Sequence, residues 1–234
     1  RDDYLDKAVT YLRGSFAPSL RILDDAQVRK LAKLSYETAE RRGIRSERDH
    51  LKYLVPVMFW GSYFERDPQY VPCLRAAGWV DAAGAAVIGA SFAALYEQID
   101  IWAAQTDRDT QSPRRLVRGF ARIQSLPPDA LNLAGIVGTM ADIWPARTGR
   151  MTPAQAEAFA KIAAARATDL GLLGADVATH IYLSQYFGIG FAHDPRFSWH
   201  PSNTKTYHRD PEGYRLALGE GVLQYWDGLE DRYK

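Results

Sequence analysis

The sequence predicts an all-α protein, an internally duplicated helical bundle of two units with four to five helices each. Three observations predict it. Apolar residues recur at helical spacing, as in Leu5, Val9, Leu12 and Phe16. Cap residues stand ahead of such runs, and no period-two alternation persists long enough for a sheet. One motif frame occurs twice. Residues 60–70 read Trp-Gly-Ser-Tyr-Phe-Glu-Arg-Asp-Pro-Gln-Tyr and residues 187–197 read Phe-Gly-Ile-Gly-Phe-Ala-His-Asp-Pro-Arg-Phe. A frame repeated at that distance indicates two copies of one structural unit.

Taken in order, the first helix carries the Leu5–Phe16 stripe. Asp24, with Gln27 three residues on, caps the next. Thr152, Pro153 and Gln155 form the equivalent start in the second copy, a capping box with proline at the first position. Gly43 and Gly171 suit left-handed C-terminal caps. Ser46 with Asp49 opens a third helix, in which Pro56 removes a backbone donor and should kink the chain. Gly61 and Gly188 end that helix in each copy. A last helix is expected from Asp81 in one unit and from Asp210-Pro211 in the other. The resulting division is 1–106 for the first unit, 107–131 for a linker with a short basic helix at Arg114–Gln124, and 132–234 for the second unit, packed as one globule. Identities between the copies include Ala26/Ala154, Gln27/Gln155, Lys33/Lys161, Ala39/Ala167 and Asp49/Asp176.

Composition narrows the function classes. Lys and Arg number 29 against 28 for Asp and Glu, so no global charge recruits nucleic acid or acidic lipid. The longest uncharged run, Ala82–Tyr96, is too short and too weakly apolar to span a bilayer and reads as a buried helix. The single cysteine, Cys73, cannot form an internal disulfide, which suggests a reducing, cytoplasmic setting. The chain starts at Arg1 without methionine, so a periplasmic setting after removal of an upstream segment stays open.

No catalytic constellation, cofactor motif or metal-ligand spacing emerges. The doubled aspartates, Asp67 and Asp194, could be paired acids. Local chemistry favours structure: Gly61 and Gly188 stop helices, Phe64 and Phe191 anchor the loop, and each aspartate with Pro68 or Pro195 starts the next turn. His180, His193, His200 and His208 cluster in the second half near Asp176, Asp194 and Asp210, which keeps a metal-dependent hydrolase or toxin as the rival class. A protein-binding surface is the leading expectation. Its candidate residues are Arg66 and His193, where the copies differ, the aromatics Phe197, Trp199 and Tyr207, and Arg115, Arg118 and Arg122 on one helix face, because Trp, Tyr and Arg anchor interfaces. The same rings could instead pin long loops to the core.

The run Ile44-Arg45-Ser46-Glu47-Arg48-Asp49, then Tyr53-Leu54, Met58-Phe59 and Gly61 through Pro68, resembles uncharacterised all-helical proteins encoded in type VI secretion and PAAR/Rhs polymorphic toxin gene clusters. Their pattern closes on Pro-Trp, where this chain has Gln69-Tyr70 and Arg196-Phe197. The resemblance carries no catalytic residue. It implies an accessory protein whose partner is a toxin effector or a secretion-apparatus component, acting as an immunity protein or as an adaptor that loads the toxin.

Overall fold

A computed structural model describes residues 2–110, 113–200 and 209–230. Tyr207 and His208 lie outside the described residues. The first half holds α1 (Asp2–Leu20), α2 (Asp25–Arg41), α3 (Glu47–Trp60), the short α4 (Val71–Ala76) and α5 (Phe92–Thr110). The second holds α6 (Pro113–Gln124), α7 (Leu133–Ile143), α8 (Pro145–Thr148), α9 (Pro153–Asp169), α10 (Ala175–Phe187) and α11 (Pro211–Glu230). Among the described residues there is no strand, only an isolated bridge between Val80 and Ala86.

The capping chemistry forms as the sequence predicts. Asp24 and Thr152 each accept the backbone N–H three residues on, and Gln27 and Gln155 reach back to close the box. Ser46 accepts the N–H of Asp49 at the start of α3. Gly43 and Gly171 leave α2 and α9 at φ of 83° and 77°. α3 continues through Pro56, while the break inside a helix falls at Phe16 of α1, whose φ of −130° lies outside the helical range.

Two expectations fail. The basic helix expected at Arg114–Gln124 forms as α6, but the polar stretch ahead of it, expected as a surface linker from Gln105, is helical through Thr110. α5 runs on to Thr110, and α6 sends Leu116 and Ile123, both fully buried, into the second core. Gly119 gives α10 room to pack there: a Cβ at 119 would collide with the Tyr182 hydroxyl, which donates to the Leu116 carbonyl at 2.8 Å. Residues 81–91 are not a helix either. Asp81 accepts the Ala85 N–H with its side chain, Val87 bonds back to Trp79, and Gly84 and Gly89 take positive φ. Most of Ala82–Tyr96 therefore lies in an exposed hairpin-like turn and not in a buried helix, and the helix begins only at Phe92.

The buried apolar residues form two cores. One is drawn from residues 4–102, including Leu31, Tyr53, Trp60, Phe64 and Trp79. The other is drawn from residues 116–222, including Trp144, Phe159, Tyr182, Phe191 and Leu218. Full burial of one such side chain contributes roughly 1.5–3 kcal/mol. Tyr63 belongs to the first half but packs on the second core, its ring lying where a Cβ on Gly190 would sit. No helix is long and apolar enough to cross a membrane among the described residues.

Candidate functional site

The doubled frame forms the joint between the halves. α3 ends at Gly61 (φ 103°, ψ 157°) and α10 at Gly188 (φ 97°, ψ 153°). A single 3-10 turn follows each, Phe64–Arg66 and Phe191–His193, and then the aspartate. One oxygen of each carboxylate closes a local turn: Asp67 Oδ1 accepts the Gln69 N–H and Asp194 Oδ1 accepts the Arg196 N–H, both at 3.0 Å. The other oxygen crosses to the opposite half. Asp67 Oδ2 accepts the Ile189 N–H at 2.8 Å, and Asp194 Oδ2 accepts the Ser62 N–H at 2.8 Å. Each aspartate thus binds the residue that follows the other frame's glycine. The expected local turns form, and the crossing bonds add a role between the halves that the local chemistry does not contain.

The glycines are required by the close approach. A Cβ on Gly188 would lie 3.0 Å from the Trp60 carbonyl oxygen, and one on Gly61 would lie 3.0 Å from Arg196 Nη2. The residue after each proline completes the joint differently. Arg196 grips Asp194 through Nε and Nη2 and donates from Nη1 to the Met58 carbonyl at 3.1 Å. Gln69 reaches Asp67 at 3.3 Å. Asp67 has no guanidinium of this kind against it, and burial pushes its carboxyl up to about 6 despite the N–H groups aimed at it.

Beside this joint a cleft of about 530 Å³ opens between the halves. Phe16 of α1, Phe59 of α3, Tyr70 just ahead of α4 and Trp102 of α5 face it from the first half; Arg147 of α8, Tyr186 of α10, Arg196 and Phe197 face it from the second. Tyr70 is stacked on Trp60 at 4.9 Å and meets Trp102 edge-on, which fixes that wall. The Arg147 guanidinium lies 5.0 Å from the Trp102 ring and 4.9 Å from the Tyr186 ring. Its Nη1 donates to the carbonyls of Gln185 and Tyr186 at the end of α10, so it faces the negative end of that helix.

The expected site residues separate. Arg66 and His193 are exposed at the ends of their 3-10 turns, outside the cleft lining. Phe197 is buried and Trp199 half-buried, packed on Phe187 and each other, so these rings pin the loop to the core and do not form an exposed aromatic surface. Phe197 nevertheless lines the cleft. Arg115, Arg118 and Arg122 share a separate groove of about 290 Å³ with Asp142, which pairs with Arg122 at 2.8 Å. The structure brings His180 and His200 together, ring centres 6.4 Å apart, with Phe191 and Tyr214 against them. Both are buried, and desolvation lowers them, His180 to about 3 and His200 to about 4. Asp176 is engaged instead by Arg215 and Asp194 by Arg196, and no group of three metal-ligating side chains exists among the described residues. Cys73 is buried, with its thiol pushed up by desolvation and Arg150 donating to the sulfur.

Sequence reasoning missed Tyr70, Trp102, Arg147, Tyr186 and Arg196 as partners in one cleft. Tyr70 and Arg196 alone carried a signal, both standing beside the doubled frame where the chain departs from the pattern it resembles. No family model, curated protein or solved structure matches the chain.

Proposed function

We propose that this is a binding protein that seats a protein partner in the cleft between its halves, and that it serves beside a secreted bacterial toxin, first as an immunity protein. The observation that carries the binding reading is the cleft itself, a concave site between two packed halves, lined mainly by rings with a few fixed polar groups. Tyr70, Trp102, Tyr186, Arg147 and Arg196, of the residue types that anchor interfaces, stand in its lining. The toxin-related role is supported by the resemblance alone, which covers about residues 23–70 and, more weakly, 151–197.

Co-expression with the products of adjacent genes, followed by gel filtration, tests the reading. A neighbouring toxin that co-elutes with the protein at a fixed stoichiometry, and a host that survives toxin expression only when the protein is present, are the expected results. Co-elution without protection points to the adaptor role. The absence of any co-eluting neighbour removes the proposal.

A further inference from the structure

We infer that the arginine row of α6 is a docking groove for a short acidic segment of a protein partner. The groove stands apart from the cleft between the halves, since no residue lines both.

The groove, of about 290 Å³, runs between α6 and the end of α7, with Arg115, Arg118 and Arg122 along it, Asp142 beside Arg122, and the buried Gly119 and Ile143 as its floor. The fold itself has little use for this row. α6 is held by Leu116 and Ile123, both fully buried, and not by charge. The three arginines stand three and four residues apart, where like charges weaken a helix, and α6 contains no acidic residue to offset them. Arg115 lies in the first turn, where the positive end of the helix opposes a cation, and only Arg122, in the last turn, suits the helix dipole.

Arg115 has partners of its own and is left out of the charge balance. Arg118 is exposed and makes no hydrogen bond or ion pair among the described residues. Arg122 pairs with Asp142, but the two side chains are 51% and 64% exposed, and a pair so open to water is readily exchanged for another carboxylate. Arg118 and Arg122 against Asp142 leave the groove one positive charge in excess. No other helix covers the row from α11: Phe120, on the opposite flank of α6, is the residue that meets Gly219 there.

The spacing selects the guest. Arg115 to Arg122 spans seven residues, about 10 Å along the helix. An extended peptide carries side chains of one side about 7 Å apart, so the row faces two carboxylates of such a segment, and arginine forks suit carboxylates. A nucleic-acid backbone fits less well. Asp142 repels a continuous line of phosphates, and a net charge of +1 on the chain gives a polyanion no long-range attraction.

The test titrates the full chain, at low ionic strength, into a fluorescein-labelled penta-glutamate peptide amide and into its penta-glutamine analogue, followed by anisotropy. The acidic peptide is expected to saturate one site below about 1 mM, and the neutral one is not. R118A, at an exposed position, should weaken binding about fivefold, and R118A/R122A should abolish saturation. D142N should tighten binding about threefold, because the guest no longer competes with a resident carboxylate. R48A removes an exposed arginine outside the groove and F59A alters the cleft; both should leave the affinity unchanged. No saturation below about 1 mM overturns the proposal. So does weakening by R48A equal to that by R118A, which would mean diffuse attraction to charge, or loss of binding in F59A, which would put the peptide in the cleft. A D142N protein that binds no tighter overturns it too, because the guest would then not take the place of Asp142. A thymidine hexanucleotide that binds more tightly than the peptide and is lost in R118A/R122A gives the groove to single-stranded nucleic acid and removes the acidic segment.

Discussion

Asp67 and Asp194 show how a short motif can carry more than its local chemistry. Deleting the Asp67 carboxylate strands the buried N–H groups of Ile189 and Gln69, and an unsatisfied buried donor costs about 1–3 kcal/mol. Asp67→Ala should therefore lower the unfolding free energy by roughly 2–4 kcal/mol, read from urea titrations. A loss below half a kcal/mol would mean that the crossing contacts hold nothing together. Gly188 gives a second residue-scale test. Its φ of 97° with ψ of 153° belongs to a region that only glycine populates freely, and a Cβ there meets the Trp60 carbonyl. Gly78 also has positive φ, 67°, yet nothing lies within 4 Å of its built Cβ. Gly188→Ala should cost more than Gly78→Ala by about 1–3 kcal/mol, and equal costs would place the whole effect in the dihedrals. The local half of this chemistry was legible: glycine stop, aspartate turn and proline start are adjacent in the chain. The crossing half was not, because nothing in residues 60–68 says which distant N–H groups complete the carboxylate.

At the scale of elements, α6 shows what composition hides. Its arginines mark a short basic helix between the units, which forms, but Leu116, Gly119 and Ile123 give that helix a second face that closes the second core. Glycine inside a helix ordinarily costs about 1 kcal/mol relative to alanine, so Gly119→Ala would be stabilising on an open surface. Here the Tyr182 hydroxyl occupies the space, and the sign reverses. Gly119→Ala should destabilise by about 1–3 kcal/mol through overpacking and loss of the Leu116 bond. Arg118→Ala, on the exposed face, should stay within half a kcal/mol, by thermal melts of both variants. The 81–91 segment is the converse case. Its long uncharged run resembles a helix in composition, but Gly84 and Gly89 at positive φ and the Asp81 side chain on Ala85 favour a turn. Capped helices such as α2, α3 and α9 were legible because both start and stop signals stand in the chain. The cleft was not, since Phe16, Trp102, Arg147 and Phe197 meet only when both halves are packed.

For the whole molecule, the buried titratable groups predict a pH dependence with a definite sign. His180 and His200 are held neutral in the fold, at about 3 and about 4, whereas in the unfolded chain they take up protons near 6.5. As pH falls below 6.5 the unfolded state binds protons that the native state refuses, so stability is lost on acidification. Asp67 acts the other way. Its folded value of about 6 exceeds the ordinary 3.8, so between these values the native state binds the extra proton and regains some stability as pH falls. Two histidines oppose one aspartate, and the histidine window opens first. Between pH 7.5 and 5 the net loss should be on the order of 2 kcal/mol. Urea unfolding at the two pH values measures it. His180→Leu should shrink the loss, because one proton-refusing site is gone, and Asp67→Asn should enlarge it, because the compensating uptake is gone. A wild-type protein as stable at pH 5 as at pH 7.5 would show that the two histidines reach solvent in the native state. Opposite responses of the two variants separate the histidine core of the second half from the joint that locks it to the first.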